Sequence, residues 1–261
     1  MIAADRPLAR LPGWVLGTAG VAVVLVVFEL AARLKLLPAR WFPPPSEILR
    51  ALADEAVTAE FWKTVWATLR GWAMGLGIAA LVAIPVGMLI GAIPFLYRQV
   101  RVVIEFLRPI PSVALIPVAV LLFGTGFGGK VFLASFAATW PLLFQSMYGV
   151  QDVDPVARDT ARAYRLGRVR QALFVTLPSA APYIATGLRV SSAVALILVV
   201  TGELVIGSAG VGNAIAVARS GGDVAVAYGY IAVAGLLGLA LNTLFKIVER
   251  PVLHWHPGQR R

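Results

Sequence analysis

The sequence contains no cysteine, which excludes a disulfide scaffold and thiolate metal sites and leaves the redox compartment open. Its two histidines, His254 and His256, lie near the C-terminus and leave little for histidine-based catalysis; two such ligands do not make a metal site. No Gly-x-x-x-x-Gly-Lys-[Ser/Thr] phosphate loop is present, so the chain has no phosphate-loop ATPase site of its own. Charge is scarce at 14%, against 59% hydrophobic residues and a mean hydropathy of +0.82. A soluble domain is about half apolar and about a quarter charged, so an ordinary cytosolic enzyme is excluded. Acidic residues are the scarcer sign, 13 against 23 Lys and Arg, giving a net charge of +10. In a membrane protein this excess marks basic cytoplasmic loops rather than a nucleic-acid partner.

What is present is a series of long uncharged runs. The 261 residues accommodate about six spans of ~20 residues. The runs are Leu11–Phe28, Gly71–Tyr97, Pro109–Gly129, Val131–Gln151, Val190–Gly202 and Val224–Phe245. The fifth reaches span length as Tyr183–Val205 if Arg189 and Glu203 lie within it. Backbone groups in hydrocarbon must be satisfied internally, so the expectation is an all-α protein of six transmembrane helices, and the absence of polar/apolar alternation argues against a barrel. The first run has Arg6 and Arg10 before it but Glu29, Arg33 and Lys35 after it, with no small-residue cleavage site. It reads as a retained span rather than a signal peptide.

Six spans place both termini on one side. With the termini cytoplasmic, the inner segments hold Arg6, Arg10, Arg98, Arg101, Arg158, Arg162, Arg165, Arg168, Arg170, Lys246, Arg250, Arg260 and Arg261. Outside lie Lys130, Arg219 and the first connection, with Arg33, Lys35, Arg40, Arg50 and Lys63, partly offset by Asp54, Glu55 and Glu60. That balance orients the chain with both termini inside. The first connection contains Phe42-Pro43-Pro44-Pro45-Ser46, a rigid extended segment. Ser46 is a candidate cap for a helix from Glu47 to Val57, with Ile48, Leu49, Leu52, Ala53 and Ala56 on one face, the pattern of an amphipathic helix on a membrane surface.

Residues 152–179 form the longest strongly polar stretch between spans. Asp154-Pro155 fits a helix start, the helix can end at or near Gly167, and Arg168–Phe174 fits a second short helix before Pro178. Such a basic two-helix loop is either a docking element or a solvated segment that only sets topology.

The residues of this loop resemble the EAA loop of permease subunits of ATP-binding-cassette (ABC) importers: Glu-Ala-Ala, three residues, Gly, nine residues, Ile-x-Leu-Pro. Counting back from Leu177-Pro178 places Val175 at the apolar position, Arg165 at the Gly position, and Asp159, Thr160 and Ala161 at Glu-Ala-Ala. Arg165 departs from the pattern, and Gly167 is the expected flexible point in its place. Further segments are similar to permeases of the nitrate, taurine and alkanesulfonate group. They are Pro43–Leu49, Arg108-Pro109-Ile110-Pro111-Ser112, Leu115-Ile116-Pro117, Phe123-Gly124-Thr125-Gly126, Pro182–Arg189, Thr201-Gly202-Glu203-Leu204, Gly210-Val211-Gly212 and Trp255-His256. The resemblance covers roughly residues 14–256. It implies a type I ABC importer permease fold: an N-terminal segment with the first span to residue 63, a core over 64–250, and a cytoplasmic tail from 251.

The resemblance implies a bacterial plasma-membrane importer subunit for a small anion or related nutrient. Its partners would be two ATP-binding-cassette ATPase subunits, a second permease copy and a periplasmic or lipid-anchored binding protein. ATP and Mg2+ would be bound by the ATPase subunits and no cofactor by this chain. Coupling would fall to Asp159, Thr160, Ala161, Arg162, Ala163, Tyr164, Arg165, Leu166 and Gly167, with Ala161 and Ala163 small enough for close docking. Glu203 is a functional candidate because a carboxylate within a span is costly. It also repels an anion, and Arg189, 14 residues away, is ~21 Å off along a helix, which leaves structural or gating roles. Thr201, Ser191, Ser192 and Gln145 are further pathway or gating candidates, with helix contacts as the alternative. Gly75, Gly77, Gly87 and Gly91 allow close helix packing. A stand-alone ion-coupled secondary transporter is the competing function. It should show internal repeats, and no convincing repeat is present.

Overall fold

A computed structural model describes residues 13–38, 40–107 and 110–253. Arg6, Arg10, Arg108, Pro109, the His254–His256 tail and the last two arginines lie outside the described residues. The regular elements are all helical: α1 (Gly13–Arg33), α2 (Pro45–Ala56), α3 (Ala59–Ala92), α4 (Pro94–Leu107), a 3-10 turn (Ser112–Leu115) and α5 (Ile116–Phe123). They continue with α6 (Phe127–Gln151), α7 (Pro155–Ala163), α8 (Arg168–Gln171), a π turn (Ala172–Thr176), α9 (Leu177–Ile206), α10 (Val211–Ser220) and α11 (Val224–Val252). Among the described residues five runs are long and apolar enough to cross a membrane, and six if the bent pair formed by α4 and the segment from the 3-10 turn through α5 counts as one span.

The core is built where small residues let helices approach. Along α3, Gly71, Gly75, Ala79, Ala83, Gly87 and Gly91 recur every fourth residue and share one face. That face lies on α6: a Cβ added at Gly75 would stand 2.5 Å from the Ala134 Cβ, and one at Gly87 or Gly91 2.6 Å from the Leu143 or Met147 carbonyl oxygen. Gly77, by contrast, faces open space. On its other side α6 meets α9, where Gly149 abuts Ala180 and Gly187 abuts Gln145 and Leu142. Without a hydrophobic force between helices in lipid, such close approach, with its dispersion contacts, supplies much of the association energy. The buried centre holds Leu76, Ala79, Ala134, Ala138, Ala195 and Val199. By contrast α1 leaves Val21, Val23, Val24 and Val27 about 60% exposed, as expected of a helix facing lipid.

Several boundaries differ from the sequence reading. The run 109–129 is not one straight span: among its described residues it divides into the 3-10 turn, α5 and the first turn of α6, with Pro111 and Pro117 at the starts of the first two, and ahead of it the axes of α4 and the 112–123 segment diverge by 81°. The charge that seemed to close this run, Lys130, is not in an outer loop. It sits in the first turn of α6 and is 1% exposed. Pro178 does not separate α9 from the preceding short helix: it follows the π turn over Ala172–Thr176, where the Leu177 N–H returns to the Ala172 carbonyl, so the register of the hydrogen bonds shifts ahead of the proline. Helical backbone therefore runs from Arg168 through the π turn to Ile206.

The first connection also differs. Ser46 does not cap α2. Its N–H (3.0 Å) and hydroxyl (2.8 Å) both donate to the carboxylate of Glu29, which also pairs with Arg33, so α1 supplies the anion at the α2 N-terminus. The apolar face of α2 is shared between protein and surroundings: Leu49 and Ala53 are exposed, and Ile48, Leu52 and Ala56 are half-buried. Leu52 and Ala56 pack with Phe61, Val65 and Tyr230, and the Tyr230 hydroxyl donates to Glu55 at 2.9 Å. Leu49 stays 64% exposed.

Candidate functional site

At one end of the bundle α6 stops and the polar loop begins. Asp154 caps α7, its side chain accepting from the Val156 N–H at 2.8 Å, and Pro155 opens the helix. Two side chains anchor the loop to the spans. Arg158 donates to the Val150 carbonyl at the α6 terminus, and the Tyr183 hydroxyl donates to Asp152 at 2.6 Å. On α7, Ala161 is buried. Val156, Asp159, Thr160, Arg162, Ala163 and Tyr164 face solvent, and Asp159 and Arg162 pair with each other at 3.2 Å. A groove of about 580 Å³ runs beside the helix, lined by residues including Ala157, Ala161, Tyr164, Leu166 and Val175.

The helix ends earlier than Gly167, and by a specific mechanism. Arg165 has φ +51°, the left-handed conformation. The Leu166 N–H returns to the Ala161 carbonyl at 3.0 Å and the Arg165 N–H to Arg162 at 2.9 Å. These are the two bonds of a Schellman motif, with Leu166 meeting Ala161 in the same groove. Gly167, with φ −60° and ψ 155°, is ordinary extended backbone. The flexible point expected there is therefore absent. The turn is made at Arg165, at the position the EAA pattern gives to glycine and in a conformation that costs a side chain.

At the opposite end of α6 and α9 lies a buried charge node. The Lys130 ammonium donates to Glu203 Oε1 (2.6 Å) and to the carbonyls of Ala209 (2.6 Å) and Ala67 (3.1 Å), which uses all three of its hydrogens. Glu203 also accepts from the Thr68 hydroxyl and from the Gly212 N–H at 3.1 Å, while Thr68 accepts from the Val211 N–H at 2.9 Å. The last two donors belong to the free N-terminus of α10. The node thus ties α3, α6, α9 and α10 together. Gly210 permits it: its φ is +148°, and a Cβ there would fall 2.0 Å from Glu203 Oε1.

Between the two ends, α6 lines an open cleft of about 440 Å³ with Ser112, Trp140, Phe144, Gln145, Tyr148 and Val190 on its walls. Of the polar span residues singled out from sequence, Gln145 lies on this cleft. Ser191 is buried and donates to the Ala138 carbonyl at 2.7 Å. Ser192 is buried beside Trp72, whose indole donates to its carbonyl at 3.1 Å. Thr201 is half-buried on α9, and Glu203 is in the node. Arg189 pairs with Glu249 of α11 at 3.4 Å, so each charge within α9 is met from another helix.

Lys130 and Thr68 were not singled out as functional. For Lys130 a signal existed. It separates two uncharged runs, a buried ammonium needs an anion, and Glu203 is the carboxylate placed deep in a span.

The sequence pattern of the binding-protein-dependent transport system inner membrane component matches residues 83–252. The taurine transport system permease protein TauC of Escherichia coli (strain K12) is 31% identical over 96% of this chain and 92% of its own length. The nitrate import permease protein NrtB of Leptolyngbya laminosa is 30% identical over 74% of this chain and 69% of its own. Among solved structures, a chain from the inward-facing MetNI methionine ABC transporter superposes with a TM-score of 0.66, covering 76% of this chain and 98% of that one at 17% identity, a likeness of fold. A helical chain of five to six candidate spans with this match across most of its length belongs to the family of binding-protein-dependent transport system inner membrane components, the permease subunits of ABC importers.

Proposed function

We propose that this inner-membrane chain carries a small oxyanion through the membrane while separate subunits hydrolyse ATP. The relatives are named for taurine and nitrate, a sulfonate and an inorganic oxyanion, and that shared chemistry supports this substrate class. The chain acts as one of two identical permease copies. Two ATP-binding-cassette subunits hold ATP and Mg2+ at the cytoplasmic face, and a substrate-binding protein delivers the anion outside. Both termini are cytoplasmic.

The observation that carries this reading is the form of α7. It is a short helix held to the spans by Arg158 and by the Asp152–Tyr183 bond, yet it presents Val156 at 70% and Tyr164 at 80% exposure. An aromatic and an aliphatic anchor flanked by Asp159, Arg162 and Arg165 are the composition of a protein-docking surface. Its ties to α6 and α9 let a displacement of α7 reach both core helices. Thr160, Ala163, Leu166 and Gly167 complete the surface and its turn. Ala161 supports it from below.

The test is co-purification with the ATPase subunit. Ala163 is exposed, so Ala163→Glu should leave the permease folded and strip the ATPase from it in mild detergent. Retention of the ATPase with wild-type coupling of hydrolysis to uptake would remove α7 from the interface. Ala161→Glu is a poorer probe, because it places a carboxylate beneath the platform.

A further inference from the structure

One cation at the edge of the spans is met by no carboxylate. Arg70 stands on α3 immediately before the uncharged run that begins at Gly71, and it is exposed. Its guanidinium lies 4.9 Å over the ring of Phe127, the first residue of α6. Among the described residues it enters no ion pair. The face of a ring holds a guanidinium without consuming its N–H groups, so they remain available to an anion.

Arg70 borders a cavity of about 350 Å³ between α3 and the start of α6. Lys63, Trp66, Ala67 and Arg70 recur at the three- and four-residue spacing of one helix face and line its α3 side, opposite Phe127 and Lys130. No lining residue is acidic. Lys130 adds no net charge, because Glu203 matches it. Lys63 has only a pair with Glu60 at 3.5 Å, with both side chains exposed, a contact of little weight. The first turn of α6 holds neither a side-chain cap nor an acidic residue, so the positive end of that helix adds to the same wall. The cavity is cationic at Arg70 and Lys63 and apolar along Trp66, Ala67 and Phe127.

Depth selects the kind of anion. From Gly71 to Ala92, α3 is about 33 Å long, close to the ~30 Å of a hydrocarbon core. Arg70 therefore stands at the boundary, and Lys63 lies about 10 Å further out. Trp66 and Trp62 are 67% and 61% exposed at this level, where indole rings settle among headgroups. A soluble oxyanion gains nothing from the apolar walls. A phospholipid carries its phosphate on chains that cover them.

We propose that this cavity binds the phosphate of an anionic phospholipid, with Arg70 and Lys63 donating to the phosphate oxygens and Trp66 and Phe127 contacting the glycerol and the first chain carbons. It lies at the Lys130–Glu203 end of α6, which is the outer leaflet when the termini are cytoplasmic. A zwitterionic lipid is disfavoured, since it brings its own ammonium toward two cations. The inference goes beyond the import reading and does not depend on which ion the chain carries.

The experiment uses the complete importer, purified in a neutral detergent and stripped of lipid. Phosphatidylglycerol is titrated in, and native mass spectrometry reads the affinity of the tightest-bound lipid. Wild type should retain phosphatidylglycerol under conditions that remove phosphatidylcholine. Arg70→Gln should bind it about fivefold more weakly, and Lys63→Gln with Arg70→Gln about 25-fold, the weight of one basic side chain at a lipid surface for each substitution. Arg70→Lys, which keeps the charge and loses the fork, should fall between wild type and Arg70→Gln. Unchanged affinity in the double variant would overturn the site, as would equal retention of phosphatidylcholine by wild type. Displacement of phosphatidylglycerol by an equal concentration of taurine or inorganic phosphate would overturn the lipid assignment and make the cavity a site for a free anion. Loss of the second permease copy from the Arg70→Gln complex would overturn it too, by making Arg70 a subunit contact.

Discussion

Lys130 and Glu203 come from positions 73 residues apart, and neither is stable in a low-dielectric interior alone. Removing one leaves the other charged, buried and surrounded by groups arranged for its partner. Lys130→Met should therefore cost about 3–5 kcal/mol, the range for breaking a buried pair. Lys130→Met with Glu203→Gln should recover part of that loss, because no net charge then remains in the node. Thermal unfolding of the purified protein in detergent reads both. Equal melting of Lys130→Met and wild type would mean the node contributes nothing to the folded state. The cost of a span carboxylate was legible in the sequence at Glu203. Its partner left only an ambiguous signal, because a lone Lys130 between two uncharged runs reads equally as the boundary between them. In the structure it lies within a helix whose first turn is already buried.

At the level of the element, the start of α7 is legible in the sequence residue by residue, while its end is legible only to within a few residues. Asp154-Pro155 is a local signal, since cap and first-turn proline act within a few residues, and both appear in the structure. The end was assigned to Gly167 because glycine tolerates left-handed backbone best. Chain geometry instead puts the left-handed residue at Arg165, where the burial of Ala161 and the contact of Leu166 with it fix the turn. Arg165→Gly should relieve about 1 kcal/mol of backbone strain and slow amide exchange across 155–166 by about fivefold. Gly167→Ala, at ordinary dihedrals with open space around the added Cβ, should leave that exchange within about twofold of wild type. The reverse pattern would return the flexible point to Gly167. The α3 ladder shows the same division. Gly75, Gly87 and Gly91 were recognisable as packing glycines, but Gly77 was grouped with them. Membership depends on the four-residue repeat through Gly71, Ala79 and Ala83, and Gly77 falls off that face.

At the scale of the whole molecule, the spans were legible because the requirement for about 20 apolar residues is set by the bilayer rather than by any partner. The bend between α4 and α5 was not, since hydropathy does not record direction. Sidedness also has a bulk origin, the bias of Lys and Arg toward the cytoplasm, and the fold sharpens what it predicts. The α7–α8 loop carries Arg158, Arg162, Arg165, Arg168 and Arg170 at one end of α6 and α9, and α10 lies at the other beyond the Lys130–Glu203 node. Moving Lys130 from a loop into the node also removes one cation from the outer count, which strengthens the inner bias. The absence of cysteine makes every introduced thiol unique. Arg168→Cys and Arg219→Cys both replace exposed residues, one on each end. A membrane-impermeant maleimide added to intact cells should label Arg219→Cys and spare Arg168→Cys until the membrane is opened. The opposite result would invert the chain and place α7 outside, away from any cytoplasmic ATPase. Labelling of both in intact cells would mean that the two ends do not lie on opposite faces, and α6 and α9 would then not span the membrane as antiparallel neighbours.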